Sequence, residues 1–136
     1  MPELVKKRVH VAVGVIVNSN QEILLAKRPD NLHQGGKWEF PGGKVEQDET
    51  VAEALKRELK EEVNLALTSS TPFMEISHDY PDKQVLLDIQ LVNDFEGEAI
   101  GLENQLIRWV MKTDLVNYEF PEANKAILEK ILVHSF

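Results

Sequence analysis

The 136-residue chain contains no cysteine, which excludes a disulfide framework, thiolate chemistry and a cysteine-rich zinc site. It also lacks a basic balance, since 15 Lys and Arg against 23 Asp and Glu leave a net charge of −8. Direct binding to a nucleic-acid backbone or an anionic membrane is therefore not expected. Long apolar runs are missing too: the longest early one, Val11 to Val17, falls far short of the roughly 20 residues a membrane span needs. The opening MPELVKK has no apolar centre of the signal-peptide kind, so a soluble cytoplasmic protein is the expectation. No internal repeat, linker or low-complexity tract interrupts the chain. With 43% hydrophobic residues it has enough apolar material for one domain over residues 1–136.

What the chain does have is the stretch from Gly43 to Leu65, GKVEQDETVAEALKRELKEEVNL. Thr50 followed by Glu53 is a capping box, and Asn64 stands where a left-handed residue closes a helix. Between them Glu58, Glu61 and Glu62 share one helix surface at spacings of three and four. Converging carboxylates suit a hard divalent cation. The plainer alternative is a solvated acidic helix. With Val51 at zero, Ala52, Leu55, Leu59 and Val63 fall at roughly 100°, 40°, 80° and 120° and define the buried stripe. Glu58 and Glu62 fall at roughly 340° and 20°, on the margin of that stripe, where unpaired charges seldom sit.

Around this helix the elements follow from patterning. Arg8 to Val17 reads as a strand buried on both faces, with Gly14 as a bulge, a close backbone approach or a tolerated small residue. Glu22 to Lys27 reads as its returning strand. Arg28 to Lys37 is a polar loop in which Arg28 can clamp a phosphate or be a plain solvated charge; His33 is an ordinary loop histidine or a phosphate donor. Trp38 and Phe40 stand just before a turn formed by Pro41, Gly42 and Gly43, and they serve as a stacking surface for a base or as core. Thr71–Tyr80 and Gln84–Val92 read as a hairpin. Phe95 to Gln105 is a loop offering Glu96, Glu98 and Glu103 as further ligands, and Ile107–Met111 is a short strand. Pro121 to Val133 reads as a last helix with Ala123, Ile127, Leu128, Ile131 and Leu132 as its packed stripe. The order of elements predicts one α+β domain.

Gly43, five residues, Glu49, seven residues, then Arg57-Glu58-Leu59-Lys60-Glu61-Glu62 resembles the signature box of the Nudix hydrolases, here residues 43–65. One position departs: the family's glycine near the end of the box is Asn64, and asparagine is the next-best left-handed residue. The resemblance implies an α/β/α sandwich with a mixed β-sheet between helices, and hydrolysis of a nucleoside diphosphate linked to another group with Mg2+, or Mn2+ in its place. It extends nearly end to end toward the MutT-type subgroup, which hydrolyses 8-oxo-dGTP to the monophosphate and pyrophosphate and so cleanses the nucleotide pool. Its landmarks are Val13-Gly14, Lys27-Arg28, Glu39 to Lys44, Tyr80-Pro81-Asp82 and Phe120 to Asn124.

Carried onto this chain, the resemblance implies that Glu58, Glu61, Glu62 and the Gly42 carbonyl hold metal, with Glu103 completing the set. Glu58 or Glu61 takes the proton of the attacking water, Glu103 being a further candidate, and Arg57 holds the glutamates in place. Arg28 and His33 contact the sugar–phosphate, while Glu39, Phe40, Pro41 and Gly42 line the substrate site. Asn124 reads the base edge, since an amide offers donor and acceptor side by side. Its plainer role is a helix cap. In the hairpin, Tyr80 and Lys83 depart from the phenylalanine and arginine that the MutT-type resemblance implies there. A small-molecule nucleotide is the expected partner, and a monomer the expected state. Rival readings are a Nudix enzyme for another nucleotide, such as an oxidised pyrimidine triphosphate, and a nucleotide-binding module without turnover.

Overall fold

Alternation along the first strand sets the layers of the molecule. The computed structural model describes residues 7–30 and 35–136. In β1 (Lys7–Ile16), Val13 and Val15 point to one side and Ala12 and Ile16 to the other. Helix α1 (Val51–Val63) covers the second side through Ala54, Leu55, Leu59 and Val63, and α2 (Lys125–Val133) covers the first through Ile127 and Ile131. A strand covered by a helix on each face has to be apolar there, as Val11–Ile16 of β1 is, while its first residues, Lys7 and Arg8, are exposed.

β6 (Lys83–Glu96) runs parallel to β1 from Lys7↔Lys83 to Ile16↔Val92, β4 (Gly42–Lys44) pairs antiparallel on its other side, and β5 (Ala66–Asp79) pairs antiparallel with β6. This mixed sheet has the order β4-β1-β6-β5. A second, antiparallel sheet has the order β3-β2-β7, built from β3 (Trp38–Glu39), β2 (Glu22–Lys27) and β7 (Ile107–Met111). β2 also alternates between the two cores, with Ile23 and Leu25 toward α2 and Leu24 toward α1. The result is the α+β, α/β/α arrangement with a mixed sheet expected from the sequence. Among the described residues no helix is long and apolar enough to cross a membrane.

Several local expectations need correction. β2 does not return alongside β1; it joins the other sheet and touches the first strand's end through a single bridge, Val17↔Ile23. Periodicity identifies strands but carries no information about partners. The hairpin strands run longer at both outer ends than expected, reaching Ala66 and Glu96, with register shifts between Leu67 and Met74. Phe95 and Glu96 therefore belong to β6. Gly14 is no bulge, since the β1–β6 register runs through it unbroken. The last helix starts at Lys125, after a 3-10 turn over Glu122–Asn124, and Leu132 of its predicted stripe is exposed.

The buried face of α1 is also rotated from the predicted one. Ala52 is exposed and Ala54 is fully buried. Ala54 falls at roughly 300° on the helical wheel, so the buried arc centres near 30° and Glu62 lies on its centreline rather than its margin.

Candidate active site

The helix that carries the carboxylates is fixed at both ends by its own sequence. Glu53 N–H donates to Thr50 Oγ1 at 3.1 Å, and Thr50 N–H donates to Glu53 Oε1 at 2.9 Å, completing the capping box. Asn64 takes φ 64°, and Leu65 N–H closes the end on Leu59 O at 3.2 Å. The next carbonyls are capped from the loop after β6: Ile100 N–H donates to Val63 O, while Leu102 N–H and Gln105 Nε2 donate to Glu62 O at 3.0 and 3.2 Å. These bonds bring Glu103 beside the helix. Gln105 has no signal in the sequence, because its partner is a backbone atom forty-three residues away.

Arg57 gathers the acidic groups at the start of the site. Its Nε and Nη2 bind both oxygens of Glu49 at 2.8 and 2.9 Å, Nη2 also reaches Lys44 O at 3.0 Å, and Nη1 binds Glu58 Oε1 at 2.8 Å. Glu61 lies 3.7 Å from the same guanidinium. This planar fork holds the Glu49 carboxyl down to about 2, with a contribution from the backbone of Glu46. Glu58 is raised above the ordinary carboxylate range by burial, against the pull of Arg57, and the charges of Glu61 and Glu103 add to the rise.

Glu62 is 8% exposed, and its Oε2 accepts from Gly42 N–H at 3.3 Å. Burial pushes its carboxyl up to about 8; Glu39, Glu103 and Glu58 push the same way and the Gly42 N–H opposes them. Glu39 is likewise raised by burial, against its ion pair with Arg28 at 3.0 Å. Of Glu96, Glu98 and Glu103, the last is the one whose charge bears on Glu58 and Glu62.

Two glycines make this closeness feasible. A Cβ at Gly43 would stand 2.3 Å from Glu58 Cδ, and one at Gly42 would stand 2.0 Å from Ala12 O. The Gly-Gly pair lets β4 lie against β1 and the Glu58 carboxyl lie against the backbone. The Pro41 carbonyl accepts from Gly14 N–H at 2.8 Å, so it is the strand's partner rather than a group turned to the site.

Beside the carboxylates opens a cleft of about 240 Å³, lined by Val11, Val13, Arg28, Glu39, Phe40, Gly42, Gly43, Lys44, Leu87 and Asn124. It brings together five of the residues singled out from the sequence: Arg28, Glu39, Phe40, Gly42 and Asn124. Phe40 belongs both to the cleft and to the core, stacked on Phe120 with ring centroids 5.3 Å apart. Asn124 makes no side-chain capping bond, so its amide is not spent on the helix. Trp38 faces a separate cleft. His33 lies outside the described residues. The Val11, Val13 and Leu87 wall was legible as strand but not as site, because alternation names a face without naming what opens onto it.

The donor set suits a divalent cation. Glu39, Glu58, Glu61, Glu62 and Glu103 interact as like charges, and the cations facing them are Arg57 and Arg28. Glu62 is raised to about 8 chiefly by burial and further by its carboxylate neighbours, and a cation bound among them would favour the charged form. With Glu58 turned onto Arg57, no group of three or more His, Asp or Glu among the described residues is arranged to hold an ion.

Known proteins resemble this chain in sequence and in fold. A family model described as NUDIX domain matches residues 12–130. The chain is 38% identical to an 8-oxo-dGTP diphosphatase of Escherichia coli K12, over 92% of this chain and 97% of that one. It is 33% identical to a CTP pyrophosphohydrolase of the same organism, over 88% and 89%. A solved structure from work on MutT of Aliivibrio salmonicida and Vibrio cholerae superposes with a TM-score of 0.84 at 42% identity, covering 93% of this chain and 98% of that one.

Proposed function

The chain belongs to the NUDIX domain family, and from that premise we propose that it hydrolyses 8-oxo-dGTP and related purine nucleoside triphosphates to the monophosphate and pyrophosphate. We take it to act as a single domain over residues 1–136, as a cytoplasmic monomer that removes oxidised nucleotides from the precursor pool. The observation that carries this reading is the cleft that Asn124, with an amide free of capping, lines together with Phe40, while Arg28, Glu39 and the Gly42–Gly43 pair line it toward the carboxylates.

In this reading Glu58, Glu61, Glu62, Glu103 and the Gly42 carbonyl hold Mg2+, or Mn2+ in its place. When bound, the ion supplies neutralisation of the triphosphate and a lowered pKa for water beside it. The protein's own groups do the rest. Asn124 Oδ1 and Nδ2 accept from and donate to the purine edge, and Phe40 with Val11, Val13 and Leu87 excludes water from around the base. Arg28 binds the sugar–phosphate part, with Glu39 fixing its fork. A carboxylate oxygen of Glu58 or Glu61 takes the proton from the attacking water. Glu58 begins on Arg57, so Arg57 sets where that oxygen stands without touching substrate.

The test is pyrophosphate release with magnesium at substrate concentrations well below saturation. A large preference for 8-oxo-dGTP over dGTP is expected, with loss of turnover when the cation is chelated. Equal rates for the two nucleotides would sink the substrate assignment. Similarity to a CTP pyrophosphohydrolase supports a second reading, a pyrimidine triphosphate such as an oxidised one. CTP and its oxidised form run in the same assay decide between them. Turnover of none of these would bring forward a binding module.

A further inference from the structure

Two aromatic rungs link the segment that carries Phe40 to the segment that leads to Asn124. Trp38 and Phe40 lie two residues apart in an extended segment and face the same way, as do Tyr118 and Phe120. Trp38 meets Tyr118 edge to face with centroids 5.3 Å apart, Phe40 stacks on Phe120 at 5.3 Å, and Trp38 N–H donates to Glu119 O at 2.8 Å. Glu39, between the two rings of the first segment, reaches Arg28 instead. Four residues beyond Phe120 stands Asn124, delivered by the 3-10 turn. The ladder therefore ties the segment bearing Phe40 to the segment that leads to Asn124, both of which line the cleft.

Arg108 of β7 sits over the outer rung. Its guanidinium carbon lies 5.2 Å from the Trp38 ring centre and 5.9 Å from that of Tyr118, and Nη1 donates to the Tyr118 hydroxyl at 3.2 Å. Arg108 pairs across the sheet with Leu25 of β2, the strand whose end carries Arg28. One side chain thus touches both rings of the rung and belongs to the sheet that bears the phosphate-binding arginine. Arg108 is exposed and does not line the nucleotide cleft.

We propose that Arg108 is a positioning residue for base selectivity, holding the Asn124 wall at the distance a purine requires by clamping Tyr118 against Trp38. This rests on the reading of the cleft as the 8-oxo-dGTP site. A planar guanidinium lays a flat face over one ring while a fixed N–H bonds the other, whereas an ammonium is a compact point charge without that face or fork. A base held between walls that have parted loses the alignment of its hydrogen bonds, and small misplacements weaken such recognition steeply.

Arg108→Met keeps much of the stem and removes the clamp, and Arg108→Lys keeps the charge. In Arg108→Met the KM for 8-oxo-dGTP is expected to rise about tenfold, kcat to change less than KM, and the preference over dGTP to shrink. Arg108→Lys should fall between it and the wild type. A folded Arg108→Met with wild-type KM and preference overturns the proposal. So does a common loss of kcat on both nucleotides with the preference intact, which is what a merely structural role predicts. A wild-type protein that does not favour 8-oxo-dGTP sinks the substrate assignment instead. The side-chain amide resonances of Asn124, recorded without nucleotide, then decide. They shift in Arg108→Met if the clamp sets that wall, and unmoved resonances overturn the proposal.

Discussion

Glu62 carries the steepest electrostatic penalty in the site, and its consequences can be measured without substrate. Its carboxyl stands near 8 in the folded protein against 4.5 for an ordinary one. A folded pKa above the unfolded value means that the stability of the neutral form is present below about pH 4.5 and is lost as the pH rises toward 8, by at most roughly 1.4 kcal/mol per pH unit. The chelator-treated protein should therefore melt at falling temperatures between pH 5 and pH 8, and Glu62→Gln should flatten that slope. Parallel slopes in the two proteins would remove Glu62 as the cause. With magnesium, the same substitution should cut kcat by about a hundredfold or more while the fold persists. Asn124 is tested by Asn124→Ala, which should cost about tenfold or more in the preference for 8-oxo-dGTP over dGTP. An unchanged preference would take base reading away from the amide.

At the scale of the element, helix α1 is held in place by side chains that bridge to the segment before it. Arg57 ties the helix to Glu49 and to the Lys44 carbonyl, while Gly43 leaves room for the Glu58 carboxyl. Arg57→Lys preserves the charge but not the fork, so kcat should fall about tenfold to a hundredfold with the circular dichroism of the helix unchanged. Wild-type turnover in that variant would show that the fork is not needed. Thr50→Ala, by contrast, removes one capping bond from an exposed helix start, and equilibrium unfolding should register a loss of about 1 kcal/mol with little effect on rate.

The whole molecule is two apolar cores separated by the strands. Leu59 belongs to the core under α1 and Ile127 to the core under α2, and both are fully buried. Truncating either to alanine should cost about 3 kcal/mol in urea unfolding. Since they lie on opposite sides of the sheets and share neither cluster, the double variant should lose the sum of the two to within about 0.5 kcal/mol. A coupling well beyond that would mean the sheets transmit strain between the layers.

Those layers also explain what could be read before any fold was known. Helix α1 was legible because its caps, Thr50 with Glu53 and Asn64, act over three or four residues, and the spacing from Gly43 to Glu62 carries the family's signature in the chain itself. The bounds of β2 and β7 were legible for the same reason, since turn residues flank short β-branched and apolar runs. What remained undecided were relations between distant residues. The predicted stripe put Ala52 inside and left Ala54 out, because a helical wheel gives relative angles and the sheet beneath decides which arc it covers. β2 lay in a different sheet from β1, because strand pairing depends on partners such as Arg108 and Val110 more than eighty residues away. Whether Asn124 capped a helix or faced a cleft depended on the 3-10 turn and the aromatic ladder behind it. The sequence by itself determined the helix, its caps, its carboxylates and the family. Only the tertiary structure decided that Glu62 is buried at the centre of the covered arc and that Asn124 lines the same cleft as Phe40, because burial and proximity are set by long-range packing, which local spacing does not encode.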